Sequence, residues 1–107
     1  MNQATLKKLL AELKDGLRCT YGKRLKGVFV FGSFARGDQN RDSDLDILVV
    51  LENFQRANLE ITNTSDLVAR LSLAYGITIT RFFVTEAEWK ESQSSFLLNV
   101  REDAVAA

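Results

Sequence analysis

A chain of 107 residues is long enough for one hydrophobic core, which predicts a single domain over 1–107 with no room for a second. Fourteen Lys and Arg balance fourteen Asp and Glu, so the basic excess of a general nucleic-acid binder is missing and DNA or RNA is disfavoured as a main partner. With no histidine and one cysteine, Cys19, an internal disulfide, a Cys/His zinc site and a histidine general base are all excluded.

Leu6, Leu9, Leu10, Leu13 and Leu17 recur at spacings of three and four, which predicts a first helix that Thr5 could cap and that ends near Tyr21-Gly22. Lys7, Lys8, Glu12, Lys14 and Asp15 interrupt its leucines, unlike the apolar centre of a secretory signal. Val28-Phe29-Val30-Phe31 predicts a buried strand that turns sharply at Gly32. The polar stretch from Arg36 to Ser43 reads as a loop, and Leu45 to Leu51, aliphatic apart from Asp46, reads as a second buried strand.

Leu67, Val68, Leu71 and Tyr75 follow a helical period that Gly76 terminates. Ile77 to Val84 mixes β-branched and aromatic residues and predicts a third strand. Thr85 and Glu88 have the spacing of a capping box, so a short helix should run through Trp89. Phe96, Leu97, Leu98 and Val100 make the remaining tail apolar enough to pack on the body without fixing its conformation. Helices alternating with buried strands predict an α/β fold, a small mixed sheet of three or more strands packed with helices. No segment reaches the roughly 20 apolar residues of a membrane span, and the expected location is the reducing cytoplasm.

The chemistry concentrates in two places. Gly32 lets the backbone approach a ligand closely, and if Ser33 opens a helical turn, its N–H groups and hydroxyl form a cradle for phosphates. Asp44 and Asp46 lie two apart at the start of a strand, so both carboxylates leave one face while Leu45 and Ile47 pack on the other. Two crowded carboxylates repel unless a cation joins them, and Mg²⁺ prefers such hard oxygens shared with substrate phosphates; a pair of ions can be held this way. Each half has a plain reading, a common turn and a solvated loop end. Their order, each beside a buried strand, favours one nucleotide and metal site. Arg36 could clamp phosphate or be a solvated surface arginine. Ser43 could touch phosphate or cap its own loop. Phe34, Phe82, Phe83 and Trp89 could stack on a base, but aromatics beside buried strands are more often core.

The run Val30-Phe31-Gly32-Ser33-Phe34-Ala35-Arg36-Gly37-Asp38, followed by Ser43-Asp44-Leu45-Asp46-Ile47-Leu48-Val49, resembles the minimal nucleotidyltransferases of the DNA polymerase beta superfamily. The resemblance implies a nucleotidyltransferase fold in which Gly32 and Ser33 hold the triphosphate of ATP or another NTP. It further implies that Asp44 and Asp46 ligate Mg²⁺ and carry catalysis, passing an NMP to an acceptor hydroxyl with loss of pyrophosphate. Stand-alone members resemble the antitoxin partner of HEPN toxins, where the acceptor is a tyrosine of the partner protein; a homo-oligomer is left open. Many members carry a third carboxylate on the later strand, and Ile77 to Val84 contains none. Glu86 and Glu88 lie just beyond it, with Glu88 already assigned to the capping box. The rival expectation is therefore a catalytically impaired, nucleotide-binding or protein-binding subunit of a toxin–antitoxin pair.

Overall fold

The computed structural model describes residues 1–107 as a four-stranded mixed sheet with helices on both faces. A long helix α1 (Gln3–Tyr21) leads through a single 3-10 turn into strand β1 (Leu25–Phe31), and a one-turn helix α2 (Ser33–Arg36) follows. Strand β2 (Leu45–Leu51) precedes two helices, α3 (Ala57–Asn63) and α4 (Ser65–Tyr75), which lead to β3 (Ile79–Thr85). Helices α5 (Glu86–Glu91) and α6 (Ser95–Asp103) and a two-residue strand β4 (Val105–Ala106) complete the chain. The sheet order is β3-β2-β1-β4, with β1 antiparallel to β2 and β4, and β2 parallel to β3.

Strand β2 is nearly continuous in aliphatic side chains because both of its faces are covered. Leu45, Ile47, Val49 and Leu51 enter the larger core with Leu9, Leu13 and Leu17 of α1 and Val68 and Leu71 of α4. Leu48 and Val50 face the other way, into a smaller core with Val84 of β3 and Leu97 and Val100 of α6. By the alternation of a strand, Asp46 shares the α6 side of the sheet with Leu48.

Several local expectations are refined. The first helix is capped by Asn2, whose side chain accepts from the Thr5 N–H at 2.8 Å, rather than by Thr5, which lies inside the first turn. The third strand starts at Ile79, two residues after the first β-branched position, because the backbone at Gly76 and Ile77 is still closing α4 onto the Ser72 carbonyl. The capping box at Thr85 and Glu88 is present with both hydrogen bonds.

Helix α3 carries no apolar stripe that sequence periodicity could detect. Its Leu59 and Ile61 are exposed, and its inward residue is Glu60, which accepts the Tyr21 hydroxyl at 2.8 Å. The same junction is pinned from β3, where the Arg81 guanidinium donates to the Thr64 hydroxyl and the Ile61 carbonyl. Burial, then the bond to Glu60, holds the Tyr21 phenol well above its ordinary pKa.

The apolar tail forms α6, and Arg101 fixes its direction. Its guanidinium donates to the carbonyls of Glu88, Trp89 and Ser92, so one side chain satisfies the C-terminal end of α5 and ties α6 to it. This assigns opposite roles to adjacent leucines: Leu97 is 3% exposed and Leu98 is 44% exposed. Leu97→Ala should cost about 2–5 kcal/mol in urea unfolding. Leu98→Ala should stay within about 0.5 kcal/mol of wild type, and equal losses would contradict this placement of α6.

Candidate active site

The antiparallel register of β1 and β2 sets Phe31 opposite Asp46, so the end of one strand and the start of the other lie side by side. Gly32 continues from Phe31 with φ 74° and comes against the Asp46 carboxylate; a Cβ at position 32 would run into Asp46 Oδ2. The chain then makes the single turn α2, in which the Gly32 carbonyl accepts from the N–H groups of Ala35 and Arg36 at 3.1 Å. The two amides that open the turn, those of Ser33 and Phe34, have no preceding carbonyl of the helix to receive their protons. Gly37, at φ 81°, closes the turn.

Gly32, Ser33, Arg36 and Asp46 line one cleft of about 410 Å³. Asp44 lies immediately before β2, exposed, and its charge acts on Asp46. Ser43 faces away from the cleft into a separate depression with Phe34, Asn40 and Tyr75, and its hydroxyl accepts the Asn40 N–H at 2.9 Å, closing its own loop. Phe83 is buried and Trp89 packs on Phe29 at 4.8 Å. Phe82 is more than a third exposed and makes an aromatic triangle with Phe31 and Phe96.

Sequence reasoning missed the other wall of the cleft, Phe96, Asn99, Val100 and Asp103, all from α6. Their spacing of three and four was the available signal, since it puts them on one helical face once the tail is known to be a helix. Asp103 reaches across to Arg36, with Oδ2 2.9 Å from the guanidinium, and Arg36 also meets Asp38 at 3.2 Å. These bonds, Asp103 first, raise the Arg36 pKa above its ordinary value. Glu86 is engaged by Lys90 and Glu88 by the capping box, and neither lines the cleft. On β3 the residues paired with Asp46 and Leu48 are Thr80 and Phe82, so that strand brings no acid to this face. A larger groove of about 650 Å³ between α1 and β4 is lined by Leu6, Leu10, Ala11 and two lysines, and no Asp or Glu side chain lines it.

The Asp46 carboxyl is held above the usual carboxylate range by its partial burial and then by Asp44, with Arg36 pulling the other way. No hydrogen bond is among the causes. A half-buried carboxylate without a hydrogen-bond donor, beside a second carboxylate, is a hard-oxygen donor set whose mutual repulsion a divalent cation relieves. The residues therefore fit Mg²⁺ shared with a phosphate, with Asp44 and Asp46 as the ligands the protein can offer.

This turn and half-buried acid stand together at the end of an α/β sheet, and comparison with known proteins places the chain among the nucleotidyltransferases. The chain belongs to that family: residues 6–103 match the family described as a nucleotidyltransferase domain. It is 34% identical over 97 residues to a Methanocaldococcus jannaschii chain whose name provisionally assigns it as a protein adenylyltransferase, covering 90% of this chain and 91% of that one. Among solved structures it resembles a provisionally assigned minimal nucleotidyltransferase, with 26% identity and a TM-score of 0.61 over 98% of this chain and 95% of that one. It also shares its fold with a chain of the complex between a tri-AMPylated Shewanella oneidensis HEPN toxin and an MNT antitoxin, at 17% identity and a TM-score of 0.50 over 92% of this chain and 70% of that one. The mixed α/β architecture expected from sequence is the one these neighbours have. No helix is long and apolar enough to cross a membrane.

Two substitutions test the site's construction. Gly37→Ala meets nothing within 4 Å and should cost only the backbone conformation, about 1–2 kcal/mol. Gly32→Ala adds the collision with Asp46, so it should lose about 3 kcal/mol or more in denaturant unfolding, and a smaller loss than Gly37→Ala would refute the contact.

Asp46 makes the second test. A carboxyl whose folded-state pKa lies above the unfolded value binds its proton more tightly in the folded chain, so its contribution to stability is fully present below the unfolded pKa near 4 and is lost as pH rises from there through the higher folded pKa. Without divalent cations, Asp46→Asn should therefore melt higher than wild type at about pH 7 and lose that advantage below about pH 4. A lower melting temperature at neutral pH would contradict the burial and repulsion at Asp46.

Proposed function

We propose that this nucleotidyltransferase passes AMP from ATP, or another NMP from its NTP, to a tyrosine hydroxyl of a partner protein, using Asp44 and Asp46 with Mg²⁺. The observation that carries the reading is the convergence of the Ser33 turn with the unbonded, half-buried carboxylate of Asp46 in one cleft. Ser33 and the opening amides of α2 would receive phosphate oxygens, and Arg36 would add a planar cation suited to them. Mg²⁺, when bound by Asp44 and Asp46, supplies charge that offsets the triphosphate and steadies the attacking and leaving oxygens. The acceptor oxygen forms a bond to the α-phosphorus as the bond to pyrophosphate breaks, and the protein's part is to hold these groups in line.

The acid-free face of β3 bears on the acceptor. With Thr80 and Phe82 beside Asp46 and Leu48, no strand carboxylate is there to take the acceptor's proton. A phenol, with a pKa near 10, gives up its proton far more readily than an aliphatic alcohol and so depends less on such a base. Similarity to a chain named as a protein adenylyltransferase, and to a chain of a complex between an AMPylated HEPN toxin and its antitoxin, supports a protein acceptor and an HEPN-type partner.

Incubation with α-labelled ATP, Mg²⁺ and a purified HEPN-type partner should label the partner on tyrosine. Asp46→Asn should cut transfer by about 100-fold or more, on the scale of losing one group that stabilises charge in the reaction. The missing strand acid also supports the rival reading, a subunit that binds nucleotide without turning it over. Saturable Mg-ATP binding with no label on any protein would decide for it.

A further inference from the structure

Within the reading above, Arg36 is the one cationic side chain lining the cleft, and it already has acidic partners. Its Nη1 meets Asp103 at 2.9 Å and its Nε meets Asp38 at 3.2 Å. The two partners differ in kind. Asp38 is two residues along the chain, 60% exposed, and outside the cleft wall. Asp103 is 29% exposed, lines the cleft beside Ser33 and Asp46, and comes from a distant helix.

That helix is firmly placed. Leu97 and Val100 are each 3% exposed in the smaller core, and Arg101 binds three carbonyls at the end of α5. The Asp103 carboxylate is thus held at the cleft by packing that does not involve Arg36. A partly exposed ion pair of this sort adds little to stability, so the fold does not account for it.

We infer that Asp103 is an affinity-setting residue for the nucleotide: it competes with the phosphates for Arg36, which must exchange a carboxylate partner for phosphate oxygens before it can clamp them. The competition has two parts. Phosphate oxygens and the Asp103 carboxylate seek the same guanidinium edge, which suits bidentate acceptors. Asp103 also places a like charge on the wall of a cleft meant for a polyanion, alongside Asp46. Unlike Asp46, Asp103 faces a cation rather than a second acid, so it sits in the cleft as a counter-ion rather than as a metal ligand.

The sign of the expected effect is unusual for a site carboxylate. Asp103→Asn should bind Mg-ATP more tightly than wild type by roughly threefold, the scale of one exposed ion pair, as read by isothermal titration of the full chain. Asp103→Glu, which keeps the charge, should return to near the wild-type Kd. In an Arg36→Ala background the gain from Asp103→Asn should shrink to less than half, because there is no guanidinium left to release. Thermal melting of Asp103→Asn close to wild type would confirm that the variant is folded.

Equal or weaker binding by folded Asp103→Asn would overturn the inference, weaker binding being the mark of a carboxylate that helps hold the metal. An undiminished gain in the Arg36→Ala background would also overturn it, leaving only repulsion between Asp103 and the phosphates. Absence of Mg-ATP binding by the wild-type chain would instead sink the nucleotide site itself, and the two failures are told apart by that single titration.

Discussion

The close approach of the Gly32 backbone to the Asp46 carboxylate is the contact from which the rest of the site follows. It exists because β1 and β2 pair antiparallel with Phe31 opposite Asp46, which joins the exit of one strand to the entry of the next. A turn that must present its amides at that spot has no space for a side chain at its first residue. The acid it abuts is raised in pKa by burial and by Asp44. The turn at Gly32 and the acid at Asp46 are therefore built by one register.

The sheet's two-sidedness explains how so small a chain builds a walled cleft. One face of β2 is closed by α1 and α4 and supplies most of the core. The other face is closed by α6 only as far as Leu48 and Val50, leaving Asp46 at the edge of that packing. The end of α6 then supplies Asn99 and Asp103 to the second wall. The proposed site lies where the smaller core runs out. A carboxylate can stay ionisable there while remaining dry enough for its charge to act on a ligand.

Much of this was legible in the residues. The leucine period of α1, the aliphatic run of β2 and the capping box at Thr85 are strong local signals, and local preference and tertiary packing agree at each of them. That Asp44 lies close enough for its charge to act on Asp46 follows from their separation by a single residue. What escaped has specific causes. Helix α3 turns Glu60 inward and leaves Leu59 and Ile61 outside, so its hydrophobic pattern is inverted relative to an ordinary amphipathic helix. Helix α6 has a readable period, but its contribution to the cleft depends on Arg101 reaching carbonyls of α5, a contact that no pattern in the sequence announces. Ser43 lies next to Asp44 in the chain yet lines a different depression, since its hydroxyl is held by the Asn40 N–H in closing its own loop.

The register of β1 on β2 also separates the stretches where chain length can vary from those where it cannot. One residue added inside either strand would turn every later side chain to the opposite face, burying the acid among leucines and exposing a leucine in its place. Between Gly37 and Ser43 the backbone makes no ladder bonds and the chain only has to return to the sheet, so lengthening there costs little beyond loop closure. Insertions and deletions among natural variants of such a domain would accordingly gather in that connection, where the rim of the site can be reshaped while its floor stays in place.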